Sequence, residues 1–334
     1  MQEQYEWLSN IDSLNFAGKS ALIVGGREMA KQYVLGLTKL GVNNITIISK
    51  SGEAIATFCK EHSVNLLTGG YEKQLPTVGH VDLTIIAPPI PLTLDAARLA
   101  VKCGQDNILI EKPGSLYHEE MEKFASEIKS QKIRVGYNRL LYTNFHKLLQ
   151  LVKEDGGITS CRFTFTEWLN RIDFTKDQAD VYQRWGISNS LHVITMAMEL
   201  IGMPKEIFPH QYGEIEWHKS GSIFVGSGIS QNNIPFTYHA DWGSGGRWGL
   251  EVYTRKSSYV LMPLEDLYAS PKYSGKLQPV TFRRAFLDVK QGIAEEIAAM
   301  LTDDVEKTNI LISLQKAMSF NSMAEKIFGY DLHS

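Results

Sequence analysis

Only three cysteines occur in 334 residues, Cys59, Cys103 and Cys161, far apart and in no Cys-x-x-Cys pair. So sparse a set excludes a disulfide scaffold or a structural zinc site and reads as core thiols. No apolar run reaches the roughly 20 residues a membrane span needs. The chain starts polar and acidic, with no basic stretch before an apolar one, so a cytoplasmic protein with no membrane partner is expected. Charge of one sign is lacking too. The 34 Lys and Arg against 37 Asp and Glu leave a net charge of −3, with no long single-sign block to track a nucleic-acid backbone. Nucleic acid is therefore not an expected partner, and small ligands stay open.

Hydrolytic signatures are missing as well. The histidines, among them His80, His118, His146, His210, His218 and His239, form no H-x-x-H or H-E-x-x-H set, so no metal is expected. There is no G-x-S-x-G nucleophile elbow and no G-x-x-x-x-G-K-[ST] phosphate loop.

What is present is length for about two domains of about 150 residues each. Residues 20–25 form a short apolar run ended by glycine, and 28–40 then carry helical spacing through Met29, Tyr33, Val34 and Leu37. Strand and helix patterns go on alternating: strand 45–48, helix 54–62, short strand 64–67, strand 82–87, helix 93–103, strand 107–110, helix 117–131 and strand 133–136. An α/β fold with a doubly wound parallel sheet, a Rossmann domain over 1–138, is the expected outcome.

The texture changes beyond it. A helix over 145–154 precedes a strand over 159–168 in which apolar and polar residues partly alternate. A helix over 188–201 follows, then strand-like segments through 260 punctuated by glycines, then amphipathic helices over 286–301 and 310–328. This predicts a second α/β domain, 139–334, with an open, largely antiparallel mixed sheet for substrate binding and oligomerisation. Its C-terminal helix has the option of packing back toward the first domain.

The sharpest local signal is Gly25-Gly26-Arg27-Glu28-Met29-Ala30 directly between a strand and a helix, the context of a dinucleotide fingerprint. Gly25 permits the tight turn, Ala30 close helix–sheet packing, and the N–H groups at the helix start can hold a pyrophosphate. In G-x-G-x-x-G/A spacing Arg27 stands at the second glycine, where its side chain either contacts phosphate or blocks the approach. The alternative is a purely structural turn. After the second strand come Ser49-Lys50-Ser51, with no carboxylate before Glu53. A hydroxyl and an ammonium suit a 2′-phosphate, so NADP is preferred over NAD, against the reading of Lys50 as an ordinary surface lysine.

Ala87-Pro88-Pro89 and Glu111-Lys112-Pro113 end two further strands at the ligand-binding edge of such a sheet. Lys112 can donate to a substrate oxygen there, or simply begin a loop.

This combination, with Gly136-Tyr137-Asn138-Arg139 and His192 inside a helix of the second half, resembles the Gfo/Idh/MocA oxidoreductase family over most of the chain. The resemblance implies an NAD(P) cofactor and hydride transfer to or from a hydroxyl or carbonyl of a sugar-like or nucleotide-sugar substrate, with a place in surface-glycan biosynthesis. It also implies a homodimer or homotetramer paired through the open sheet. On that pattern Lys112 approaches the reacting oxygen and His192 handles a proton or positions substrate. An unperturbed imidazole exchanges protons near neutrality.

Candidate substrate contacts are Lys112, Asn138, Arg139, Trp168, Arg184, Ser188, Asn189 and His192. The family's usual aspartate four residues before the histidine is replaced by Ser188. That departure leaves two alternatives open. One is a reductase of a non-sugar carbonyl, imine or carbon–carbon double bond; the other is a non-catalytic dinucleotide-binding regulatory protein.

Overall fold

Strands of two kinds organise the chain in the computed structural model, which describes residues 2–128 and 132–330. They belong to two units. The first comprises 7–141 and 284–319; the second comprises residues up to 6, 142–283 and those from 320 on. Neither unit is continuous in sequence, whereas the sequence reading divided the chain once, between 138 and 139.

In the first unit β1 (Ser20–Val24), β2 (Asn44–Ser49), β3 (Asn65–Thr68), β4 (Leu83–Ile86), β5 (Asn107–Glu111) and β6 (Lys132–Gly136) form a parallel sheet. The order is β15-β6-β5-β4-β1-β2-β3, with β15 (Ile312–Ser313) antiparallel to β6. β1 and β4 are buried along almost their whole length, as the continuous apolar runs require of a sheet covered on both faces. The chain runs outward from β1 through β2 and β3, then returns to β4 on the other side, which makes the β1–β4 boundary a topological switch point.

One cover is the Glu28–Lys39 helix, whose Tyr33, Val34 and Leu37 join a core completed by Ile293, Ile297 and Ala298 of the Ile293–Leu301 helix. The segment packing back on the sheet is thus 284–319, including that helix and β15. The last helix, Leu314–Phe328, is divided between the units at residue 320. The helix expected over 286–301 begins only at Ile293, because Gly292 takes a left-handed φ of +87° that ends the irregular stretch before it. Two residues of the helix expected over 310–328 form β15 instead, where pairing with β6 overrides helical spacing. The helix expected over 117–131 is described as His118–Glu127, and its predicted end at residue 131 lies outside the described residues.

The second unit carries an eight-stranded mixed sheet. Its strands are β7 (Ile158–Phe165), β8 (Pro204–Tyr212), β9 (Ile223–Ser230), β10 (Pro235–Asp241), β11 (Trp248–Thr254), β12 (Ser257–Leu261), β13 (Tyr268–Pro271) and β14 (Gln278–Pro279). The order is β14-β13-β12-β11-β7-β10-β9-β8, antiparallel throughout except for β7 with β10. Period-two burial is clean in β10, where Phe236, Tyr238 and Ala240 are buried and Pro235, Thr237 and His239 exposed. The buried face packs under the Leu191–Ile201 helix. The helix expected over 188–201 starts earlier and irregularly, as a π-helical turn over Gly186–Ser190.

Cys59 and Cys161 are buried, as expected of core thiols, while Cys103 is only half-buried; all three are unpaired. Among the described residues no helix is long and apolar enough to cross a membrane, and no three His, Cys, Asp or Glu side chains gather as a metal site.

Candidate functional site

The register of the parallel sheet decides which residues meet at its edge. Val24 pairs with Ile48 on one side and Ile86 on the other, and Ile86 pairs with Ile110. Gly25, Ser49, Ala87 and Glu111 therefore leave their strands at one level. Gly25 N–H donates to the Ile48 carbonyl at 2.9 Å, and Ala87 N–H to the Val24 carbonyl at 2.8 Å.

The two glycines are required by close approach. At Gly25 the backbone has φ +133°, and a Cβ would lie 2.2 Å from the Ala87 carbonyl oxygen. At Gly26 a Cβ would lie 2.3 Å from Ser49 Oγ. Three of the predicted cofactor segments, at 25–29, 49–51 and 87–89, thus converge at the switch point. Arg27 stands at the N-cap with ordinary extended backbone (φ −88°, ψ −172°), and no side chain caps the helix that Glu28 and Met29 begin. The first-turn N–H groups are therefore not taken by a cap, which fits a pyrophosphate bound there. Lys50 and Ser51 are exposed beside half-buried Ser49.

Glu111 and Lys112 end β5 on the same edge, and the Lys112–Pro113 peptide is cis. The Glu111 carboxylate accepts the Lys112 backbone N–H and, from the other side, the Tyr33 hydroxyl at 2.7 Å. Asn138 is committed to the fold: its amide donates to the Gln291 carbonyl at 2.9 Å and pins the returning segment. Arg139 lies one residue on, in electrostatic range of Lys290.

The remaining candidates sit in the second unit, and there the centre is a carboxylate that the sequence reading missed. Glu167, buried just past the end of β7, accepts from Ser190 Oγ at 2.6 Å, Asn189 Nδ2 at 2.9 Å and Trp248 Nε1 at 3.2 Å, with Arg247 at 3.8 Å. Burial raises its pKa, and those donors and the guanidinium counter the rise. The Trp248 ring centroid lies 6.0 Å from that of buried His192.

Half-buried Trp168 donates Nε1 to the Gly246 carbonyl at 2.8 Å, and the Arg171 and Arg247 guanidiniums stack at 4.5 and 4.7 Å from its ring centre. Asn189, His192 and Trp168 are therefore gathered around the Glu167 network. Ser188, in the π-helical turn, contributes differently: its hydroxyl lies 3.2 Å from the Val181 carbonyl and 3.4 Å from the Trp185 carbonyl and gives its one hydrogen to the backbone. Arg184 forms a buried ion pair with Glu325 and stacks 4.8 Å over the Tyr330 ring. The signal that could have found Glu167 is a lone carboxylate following an alternating strand and preceding a tryptophan.

No family model matches the sequence, and no curated protein matches it. Solved structures do. The chain is similar to UDP-N-acetylglucosamine 3-dehydrogenase from Acidithiobacillus ferrooxidans, with a TM-score of 0.74 at 12% identity over 94% of this chain and 98% of that one. It is similar to a levoglucosan dehydrogenase in complex with NADH and levoglucosan (TM-score 0.70, 16% identity, 93% and 96% covered). It is also similar to a Synechocystis biliverdin reductase bound to biliverdin and NADP+ (TM-score 0.70, 13% identity, 92% and 97% covered). At such identities the likeness establishes the fold: a Rossmann-type parallel sheet in one unit and an open, mostly antiparallel sheet in the other.

Proposed function

We propose that the chain is an NAD(P)-dependent oxidoreductase acting on a hydroxyl or carbonyl of a sugar-like or nucleotide-sugar substrate. A place in surface-glycan biosynthesis belongs to this reading. The observation that carries it is the meeting of Gly25 with Ala87 and of Gly26 with Ser49 at the switch point, beside a helix start without a side-chain cap. Two of the similar folds, one in complex with NADH and one with NADP+, support it.

When bound, the dinucleotide supplies or accepts the hydride. The N–H groups of the first helical turn hold its pyrophosphate, Arg27 adds a guanidinium for phosphate, and Ala87-Pro88-Pro89 walls the crevice. Ser49, Lys50 and Ser51 favour the 2′-phosphate of NADP, since no carboxylate is there to repel it. Lys112 stabilises the oxygen that gains charge, and His192 accepts or returns the proton. Asn189 and Trp168 contact substrate on this reading. Assembly as a homodimer or homotetramer through the open sheet completes it.

Fluorescence titration with NADPH and NADH tests the proposal first. Saturable binding with NADPH preferred, weakened by Lys50→Asp, is the expected result; no binding of either by folded protein overturns it. Turnover lost on Lys112→Met with binding retained separates an enzyme from a dinucleotide-binding regulator, the second reading that Ser188 supports.

A further inference from the structure

The first unit buries a hydrogen-bonded set for which the proposed reaction has no role so far. Tyr33 Oη lies 2.7 Å from Glu111 Oε1 and 3.3 Å from Glu296 Oε2 of the Ile293–Leu301 helix. Tyr33 and Glu296 are both fully buried. Gly136, at the end of β6, makes the space, since a Cβ there would stand 3.2 Å from both Glu296 oxygens and 3.3 Å from Tyr33 Oη.

A phenol carries one proton. Tyr33 gives it to Glu111 in the shorter contact, so in the longer one it acts as acceptor and Glu296 must supply the hydrogen. The surroundings agree. Among the described residues Glu296 Oε1 has no hydrogen-bond partner, and an ionised carboxylate would be stranded there. Burial raises Glu111 as well, but Glu111 accepts the Tyr33 hydroxyl and the Lys112 backbone N–H and lies in the field of Lys112 and Lys290, all of which oppose the rise. Glu295 also faces Glu296, and Glu28 and Arg139 act on Lys290. Burial and the neighbouring Glu111 carboxylate push Glu296 well above the ordinary carboxylate range, which favours one proton held between the two acids.

We propose that Glu296, Tyr33 and Glu111 form a directed relay, Glu296 O–H to Tyr33 O–H to the Glu111 carboxylate, which positions Lys112 at the end of β5. Tyr33 and Glu296 are positioning residues. The functional meaning rests on the assignment of Lys112 to the reacting oxygen, whereas the relay itself is a property of the protein alone.

The experiment uses the full chain without cofactor. Lys112 is pulsed with acetic anhydride across a pH series and its acetylation read by mass spectrometry, with folding of each variant checked by circular dichroism. In Tyr33→Phe the Glu111 carboxylate loses the hydrogen bond that fixes it beside Lys112, so it holds the Lys112 ammonium less closely and the ammonium gives up its proton at lower pH. Acetylation at a fixed pH then rises severalfold, a midpoint shift of one pH unit being about tenfold. Glu296→Gln keeps an uncharged donor toward Tyr33, so its midpoint stays with the wild type. An unchanged midpoint in Tyr33→Phe, or an equal shift in both variants, overturns the relay.

Infrared difference spectra provide a second measurement, above the titration of Glu295 at about 7. Wild type minus Glu296→Gln is expected to show the carbonyl stretch of a protonated acid, and its absence overturns the proton assignment. A protein that passes both tests yet binds neither NADPH nor NADH loses the proposed function and keeps the relay; the reverse pattern removes the relay alone.

Discussion

The two sheets treat burial in opposite ways. The parallel sheet is covered on both faces, so β1 and β4 are buried along almost their whole length and accessible positions are left to the strand tips. The mixed sheet covers one face. Along β10 the buried residues are Phe236, Tyr238 and Ala240, and the exposed ones are available for polar contacts or a partner. The same contrast holds for buried charge. In the second unit Arg184 sits against Glu325, and Glu167 has three neutral donors as well as a guanidinium. In the first unit Glu295 and Glu296 are buried with no ion pair among the described residues, and their environment favours the neutral acid. The Arg184–Glu325 pair thus answers burial by pairing charge, Glu295 and Glu296 by holding a proton.

The largest way to break this comparison is to remove half of a pair. Arg184 and Glu325 side chains are 6% and 2% exposed, so Arg184→Ala leaves a carboxylate with nowhere to go. Such a change costs about 3–5 kcal/mol, whereas replacing both partners by apolar residues of similar volume is nearly neutral. Urea denaturation of Arg184→Ala beside the double variant Arg184→Met/Glu325→Leu reads the difference. Equal losses in both would show that packing, not charge pairing, dominates there.

A smaller loss is expected at the strand tips. Gly25→Ala places a methyl against the Ala87 carbonyl and an L-residue at φ +133°. Backbone strain alone is about 1–3 kcal/mol, and the tips of β1 and β4 must separate. The midpoint in urea should fall and NADPH binding should be lost. A variant that loses stability while still binding NADPH would detach the glycine turn from the cofactor.

Much of this architecture was legible because burial on both faces writes itself as unbroken apolar runs. Every predicted strand of the parallel sheet is present, and the glycine turn lies at the switch point as its context required. What was illegible depends on distant partners. Glu167, Tyr33 and Glu296 look like ordinary surface or helix residues until residues 22 and 263 positions away arrive beside them. Ile312 and Ser313 read as helix because nothing local announces β6 as their neighbour. Residue type and position point to Asn138 and Arg184 as substrate contacts, and in the fold their polar groups meet the Gln291 carbonyl and Glu325.

The proton-holding half of the comparison has its own signature in pH. Burial pushes Glu295 up to about 7, well above its unfolded value, against the opposing field of Arg284. A group with a raised folded pKa contributes stability that is complete below the unfolded pKa and is lost as pH rises through the folded one. The melting temperature should therefore fall as pH rises from the ordinary carboxylate range to about 7 and level off above it, and Glu295→Gln should flatten that slope. An unchanged slope would mean that Glu295 is ionised in the fold, and the contrast between the units would weaken.

The smallest effect belongs to the open face. Arg162 and Glu251 are directly opposed across β7 and β11 and form an ion pair, with side chains 56% and 18% exposed. In a monomer such a pair is solvated and screened, so a double-mutant cycle with Arg162→Ala and Glu251→Ala should yield about 0.2–1 kcal/mol, shrinking with salt. If a second copy covers this face, as the proposed homo-oligomer implies, the pair is drier and its coupling is larger, resists salt and grows with protein concentration. Running the cycle at two protein concentrations, with light scattering for mass, turns a minor surface interaction into a probe of assembly. A small, salt-sensitive coupling in a particle of monomer mass would leave the mixed sheet truly one-sided, and pairing through it would be excluded.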